Sequence, residues 1–336
     1  MNMEIIKQLA ILIVGFALLV KGADLFVDGA SGIAKKFGIS ELIIGLTIVA
    51  MGTSAPEAAV SIAAAAKGSA GIAIGNVIGS NIMNIFIILG VVAAITPLKI
   101  ERSTVRYEMP FTILVTAAFV LMGKDGLITR LDGAILWAGL LLYIAYLLRQ
   151  AKQKPAATPS QAETAVQITA ASASSEAVPE TAAAVPADSP SIWKLIALTI
   201  AGLAVILVSS DYAVDAAVAL AKIFNISDRV IGLTIVALGT SLPELVTSVT
   251  AALRGNADLA VGNVVGSCIF NLLFVLGTSA LILPIPCAPN FLSDAYVAVG
   301  ATVLLLLFGF TQMKIARWEG VLLVACYAAY AYVALV

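Results

Sequence analysis

No histidine occurs anywhere in the 336 residues. Without imidazole, Ser-His-Asp chemistry is excluded and most zinc sites go with it. Cysteine is nearly as scarce, and Cys268, Cys287 and Cys326 are too scattered for a disulfide framework or a thiolate metal site. Charge is the third shortage: Asp, Glu, Lys and Arg make up 12% of the chain, against about 25% in a soluble domain. A net charge of −1 lacks the basic surplus of a nucleic-acid binder.

What fills the chain instead is apolar, at 61% of residues. That excess cannot be hidden in a globular core, so the solvent for most of the chain must be lipid. A spanning helix needs about 20 mostly apolar residues. Ten spans are predicted on that rule: Lys7–Ala30, Glu41–Ala66, Gly71–Ile95, Glu108–Gly123, Asp132–Arg149, Trp193–Ala219, Arg229–Leu253, Asp258–Leu283, Ser293–Gln312 and Trp318–Leu335. The first apolar run, Leu9–Val20, lacks a clear basic flank and continues through a repeat unit, so it reads as a span rather than a cleaved signal. Between the fifth and sixth spans, Pro155–Ser191 is rich in Ala, Ser, Thr, Glu and Pro. It cannot bury enough surface to offset its ordering entropy and reads as a flexible linker.

A repeat search organises the rest. Gly45–Gly90 and Gly232–Gly277 align without a gap, with 26 of 46 positions identical. The alignment extends weakly backwards, placing Asp24 and Asp28 on Asp211 and Asp215. Five spans per half is an odd number, so the second half enters the membrane from the opposite side, as in many secondary transporters. The expected fold class is therefore an all-α membrane protein of ten transmembrane helices. Residues 1–150 form the first five-helix repeat, 151–191 the linker, and 192–336 the inverted second repeat. Basic residues divide roughly two to one in favour of the side facing the linker, which predicts both termini outside and the linker in the cytoplasm.

Charge inside a span costs at least about 2.5–3.5 kcal/mol. Glu57 and Glu244 stand in matching places in otherwise apolar spans, after Gly52-Thr53-Ser54-Ala55-Pro56 and Gly239-Thr240-Ser241-Leu242-Pro243. Each proline removes a backbone donor, which is expected to loosen carbonyls near Ala50 and Ala237. The next span of each repeat adds Asn76, Ser80 and Asn84, or Asn263, Ser267 and Asn271. Every one of these ligands offers oxygen. Calcium takes about 6–8 oxygens, and two carboxylates match its charge. Sodium accepts the same ligand type, magnesium gives up water reluctantly, and soft metals ask for thiolate or imidazole.

A single Pro-Glu could equally be a structural kink with a protonated carboxyl; the doubled motif argues for a site. Gly45, Gly75, Gly79, Gly90 and their counterparts read as helix-packing positions. Asp24/Asp28 and Asp211/Asp215 are expected to pair at the interface with Lys35, Lys36 or Lys222, and Cys268, where the first repeat has Asn81, to face packing. Trp137, Tyr143, Tyr146, Trp193 and Trp318 read as interface anchors.

At GTSAPE, GTSLPE, GNVIGSNIMN and GNVVGSCIFN the chain resembles the cation/calcium exchanger superfamily, specifically its prokaryotic sodium/calcium exchanger branch. The resemblance runs nearly end to end. It implies a sodium/calcium antiporter working by alternating access as the long first and sixth helices slide; the short, loop-poor plan predicts a prokaryotic inner membrane. The implied ion ligands are Thr53, Ser54, Glu57, Ser80, Asn84, Thr240, Ser241, Glu244, Ser267 and Asn271, with the carbonyls of Ala50 and Ala237. No prosthetic group, nucleic acid, obligatory protein partner or enzymatic activity is implied; the partners are Ca2+, Na+ and lipid. Some relatives carry an acid at the place of Asn271, which puts potassium co-transport in doubt here. The alternatives are a calcium/proton antiporter using the same glutamates, a channel with a two-Glu filter, and an intramembrane hydrolase, for which no nucleophile–base pair exists beyond Ser or Thr beside Glu.

Overall fold

A computed structural model describes residues 2–68, 70–153, 190–224 and 237–335. The expected linker, apart from residues 151–153, which continue a helix, and Pro190 and Ser191, lies outside the described residues, as does the start of the seventh expected span. The first half comprises α1 (Asn2–Phe37), α2 (Glu41–Thr53), α3 (Ala55–Ala66), α4 (Gly71–Ile95), α5 (Thr104–Asp125) and α6 (Arg130–Gln153). The second comprises α7 (Ile192–Ile223), α8 (Ala237–Thr240), α9 (Leu242–Leu253), α10 (Ala257–Ile282), α11 (Pro289–Gln312) and α12 (Arg317–Leu335). α2 and α3 form one span bent by 49° at Ser54. The architecture is the ten-helix, two-repeat plan.

Several helices outrun their predicted limits. α1 has 36 residues, because polar residues at both of its ends continue the helix past the apolar window. The fourth span starts at Thr104 instead of Glu108: a wide π turn over Thr104–Glu108 leads into Pro110 near the start of a regular segment, where a missing donor costs nothing.

Burial separates an inner layer from an outer one. The apolar windows of α10 and α4 are 94% and 72% buried, whereas those of α1, α6, α7 and α11 are buried over only 28–33%. α1 and α7 pack against each other along their lengths. Two short antiparallel strand pairs tie the halves together outside the helices. β1 (Leu98–Lys99) pairs with β4 (Lys314–Ile315), and β2 (Leu127–Ile128) with β3 (Ile285–Pro286).

The centre is a close crossing of α2 with α10. A Cβ on Gly262 would stand 2.8 Å from the Leu42 carbonyl, and one on Gly45 2.8 Å from that of Leu259. On Gly266 it would meet Leu46 Cα and Ala50 Cβ, both at 2.8 Å. Gly90 is also tight, against Gly320, but Gly75 and Gly79 have no comparable backbone neighbour among the described residues. With few apolar gains available between helices in lipid, such approaches supply the packing.

Two expectations change. Asp24 and Asp28 are ion-paired, but with Arg254 at the end of α9: Nη2 donates to Asp24 Oδ1 at 2.6 Å and Nη1 to Asp28 Oδ1. Lys21 also lies 3.8 Å from Asp24. The fold carries Arg254 to α1 from a distant stretch of sequence, so the nearby lysines were the wrong candidates. Tyr143 is buried, at 7% exposure, and stacked on Phe111, whereas Trp193 and Trp318 are exposed. Cys268 is buried in the core, as expected, and also borders the site described below.

Gly266→Val should lower stability by about 1–3 kcal/mol through overpacking at this crossing. The check is the thermal unfolding midpoint in detergent, with Gly300→Ala, helical and with open space around an added Cβ, as a comparison that leaves the crossing untouched.

Candidate cation site

Ser54 and Ser241 mark the two breaks, with φ/ψ of −81°/10° and −89°/4°. Beyond each, a proline occupies the first turn of a new helix, and the glutamate follows it in that turn. Glu57 and Glu244 therefore sit at the N-termini of α3 and α9, where the helix dipole favours a negative charge. Their exposures are 1% and 0%.

Each carboxylate is held from the opposite repeat. Ser54 Oγ donates to Glu244 Oε1 at 2.9 Å, and Ser241 Oγ donates to Glu57 Oε1 at 3.4 Å. Ser80 Oγ donates to the same Glu57 oxygen at 3.5 Å. Thr240 lies beside Glu57, while Thr53 and Ser267 lie beside Glu244. Among the described residues no lysine or arginine pairs with either glutamate.

Asn76 and Asn263 hold the broken helices in place. Asn76 Nδ2 donates to the Glu57 carbonyl at 3.3 Å and to Ser61 Oγ at 2.9 Å. Asn263 Nδ2 repeats this with the Glu244 carbonyl at 3.4 Å and Ser248 Oγ at 2.9 Å. Its Oδ1 accepts from Thr53 Oγ1 at 3.1 Å. Ser61 and Ser248 were missed in the sequence, although their identity in the aligned repeats was the available signal.

The Ala50 carbonyl keeps helical partners: it accepts from Ser54 N at 3.0 Å and faces Thr53 Oγ1 at 3.4 Å. Ala237 is the first residue of α8. Asn84 and Asn271 open matching π turns, Asn84–Leu89 and Asn271–Leu276, and are both 1% exposed. π turns inside helices recur at functional sites.

Five buried oxygens here carry no hydrogen bond: Glu57 Oε2, Glu244 Oε2, Asn84 Oδ1, Asn271 Oδ1 and Ser267 Oγ. Burying such groups unpaired costs about 1–3 kcal/mol each, and more when charged. Among the described residues no group of three His, Cys, Asp or Glu side chains gathers anywhere. The donor set is hydroxyl, amide and carboxylate oxygen, which suits a hard cation carried as substrate.

Asn263→Leu would strip partners from Thr53, Ser248 and the Glu244 carbonyl together. It should lower stability by about 1–3 kcal/mol, read as a fall in the melting temperature of the purified protein. An unchanged melt would remove the scaffolding role given to this amide.

Known proteins share both the sequence and the fold. The family profile described as sodium/calcium exchanger protein matches residues 7–152 and 194–336. A putative antiporter, CaxA, of Alkalimonas amylolytica is 40% identical over 95% of this chain and 96% of its own. The sodium/calcium exchanger MaX1 of Methanosarcina acetivorans is 36% identical, with the same two coverages. Among solved structures, the sodium-calcium exchanger NCX_Mj soaked with Na+ and Ca2+ superposes with a TM-score of 0.77 and 34% identity, covering 96% of this chain and 97% of that one. The same exchanger soaked without either ion gives 0.79 at 33% identity, covering 99% and 100%. The two glutamates at broken helices, the crossed serines and the inverted halves stand in a chain that matches these proteins throughout, and it belongs to the sodium/calcium exchanger family, integral membrane exchangers whose substrates are Na+ and Ca2+ and which are not enzymes.

Proposed function

We propose that the chain exchanges Na+ for Ca2+ across the membrane by alternating access, with both ions competing for the oxygens around Glu57 and Glu244. One observation carries this reading: two fully buried carboxylates without a basic partner among the described residues, each held by a hydroxyl of the opposite repeat and each keeping an unpartnered oxygen. Ca2+ would be held by the two carboxylates with Ser267, Asn84, Asn271 and the hydroxyls of Thr53, Ser54, Ser80, Thr240 and Ser241; the carbonyls of Ala50 and Ala237 close the set. Residues 1–150 and 192–336 act as the two inverted repeats, with both termini outside and 151–191 as a cytoplasmic linker.

The coupling follows from electrostatics. Two bare carboxylates are costly to bury, so the occluded form is accessible when cations neutralise them. α1 and α7, the outer pair packed against the site-bearing layer, would move together across it. An empty carrier is held back, and the sodium gradient drives calcium the other way.

Proton coupling is the second reading, because protonation would also neutralise a glutamate that no described lysine or arginine pairs. Uptake of calcium-45 into sodium-loaded proteoliposomes separates the two. Uptake that requires internal sodium, and that a pH gradient cannot replace, is the expected result. Glu57→Gln and Glu244→Gln should each cost about 3–5 kcal/mol of ion binding, roughly two to four orders of magnitude in affinity, with the fold retained. Full sodium-driven flux in either variant would sink the assignment.

A further inference from the structure

The two repeats supply equivalent amides, Asn84 and Asn271, but do not support them equally. Positions 81 and 268 face each other where α4 meets α10. Asn81 Nδ2 donates to the Cys268 carbonyl at 3.1 Å, and Cys268 Sγ lies 3.9 Å from the Asn81 carbonyl. Both residues are buried, at 2% and 1% exposure. With its amide nitrogen engaged, Asn81 presents Oδ1 in a fixed direction, and Asn271 Nδ2 donates to that oxygen at 3.2 Å.

This chain of bonds decides which end of Asn271 faces the cation. The oxygen and nitrogen of a primary amide are nearly isosteric, so a neighbour must choose between them. Asn81 takes the nitrogen, which leaves Asn271 Oδ1 unpartnered. The other repeat has no such carbonyl oxygen. Cys268 stands where the symmetry would place an asparagine, and Asn84 lies against its sulfur, a weak acceptor. Glu244 is also beside Cys268, so the replaced position borders the ligands directly.

We propose that Asn81 is a positioning residue that fixes Asn271 as the constant amide ligand of the transported cation, while Cys268 leaves Asn84 as the adjustable one. The inference rests on the cation-site reading given above. Its physical content is a division of labour: two ions of different charge share one set of oxygens, and one arm holds still while its symmetry mate adapts. Specificity between them would then depend on two residues that are not ligands themselves.

The test combines calorimetric Ca2+ titration of the purified protein with sodium-driven calcium flux in proteoliposomes. Asn81→Leu should weaken Ca2+ binding and raise the KM for calcium by roughly tenfold, the worth of about one hydrogen bond, with a much smaller fall in kcat. In an Asn271→Ser background the same substitution should have little further effect, because the amide it orients is gone. Cys268→Asn, which completes the symmetric support, should tighten Ca2+ binding and slow turnover. Equal penalties from Asn81→Leu in both backgrounds would indicate a merely structural residue and overturn the proposal. So would a Cys268→Asn protein indistinguishable from the parent, which also decides the matter if Asn81→Leu fails to fold. Absence of Ca2+ binding by the unmodified protein would instead overturn the cation site itself.

Discussion

Two carboxylates sealed inside a membrane protein, with no lysine or arginine beside them among the described residues, constrain everything packed around them. A buried charge survives only if hydrogen bonds, dipoles or a mobile cation answer it. Here the first two are built in: a serine from the opposite repeat reaches each glutamate, and each glutamate opens a helix. The third is left open, since one oxygen of each carboxylate has no partner. A protein that satisfied both oxygens internally would be more stable and would carry nothing. On the proposed reading, that unfinished hydrogen bonding is where the cation binds.

That arrangement is possible only because the inner helices come unusually close. Gly45, Gly262 and Gly266 let α2 and α10 touch backbone to backbone, which brings the Thr-Ser of one half over the helix start of the other. Side chains at those glycines would push the halves apart and pull the hydroxyls off the carboxylates. Packing and chemistry are therefore not separable here. The asparagines Asn76 and Asn263 finish the task by tying the restarted helices to α4 and α10.

Much of this was legible because it repeats. Two aligned segments, each with an isolated glutamate in an apolar span, locate the spans, the inversion and the carboxylates without any coordinates. Helix ends were less legible, since α1 and α5 continue through polar residues that a hydropathy window discounts. Contacts made across the fold were not legible at all. Nothing in the neighbourhood of Asp24 and Asp28 names Arg254 as their partner. Cys268 packs in the core as expected, but its position opposite Asn81 shows only once Asn81 is seen bonded to Asn271.

The two strand pairs carry a consequence for what counts as a unit of this protein. β1 of the first half closes on β4 of the second, and β2 on β3, so each half contributes one strand to each clasp. Neither half owns a complete clasp, and neither owns a complete carboxylate cage. The repeat divides the sequence in two, yet a single half is an unfinished surface rather than a domain. Read backwards, the pattern is that of two copies of one short chain, laid head to toe, each meaningful only in the other's embrace.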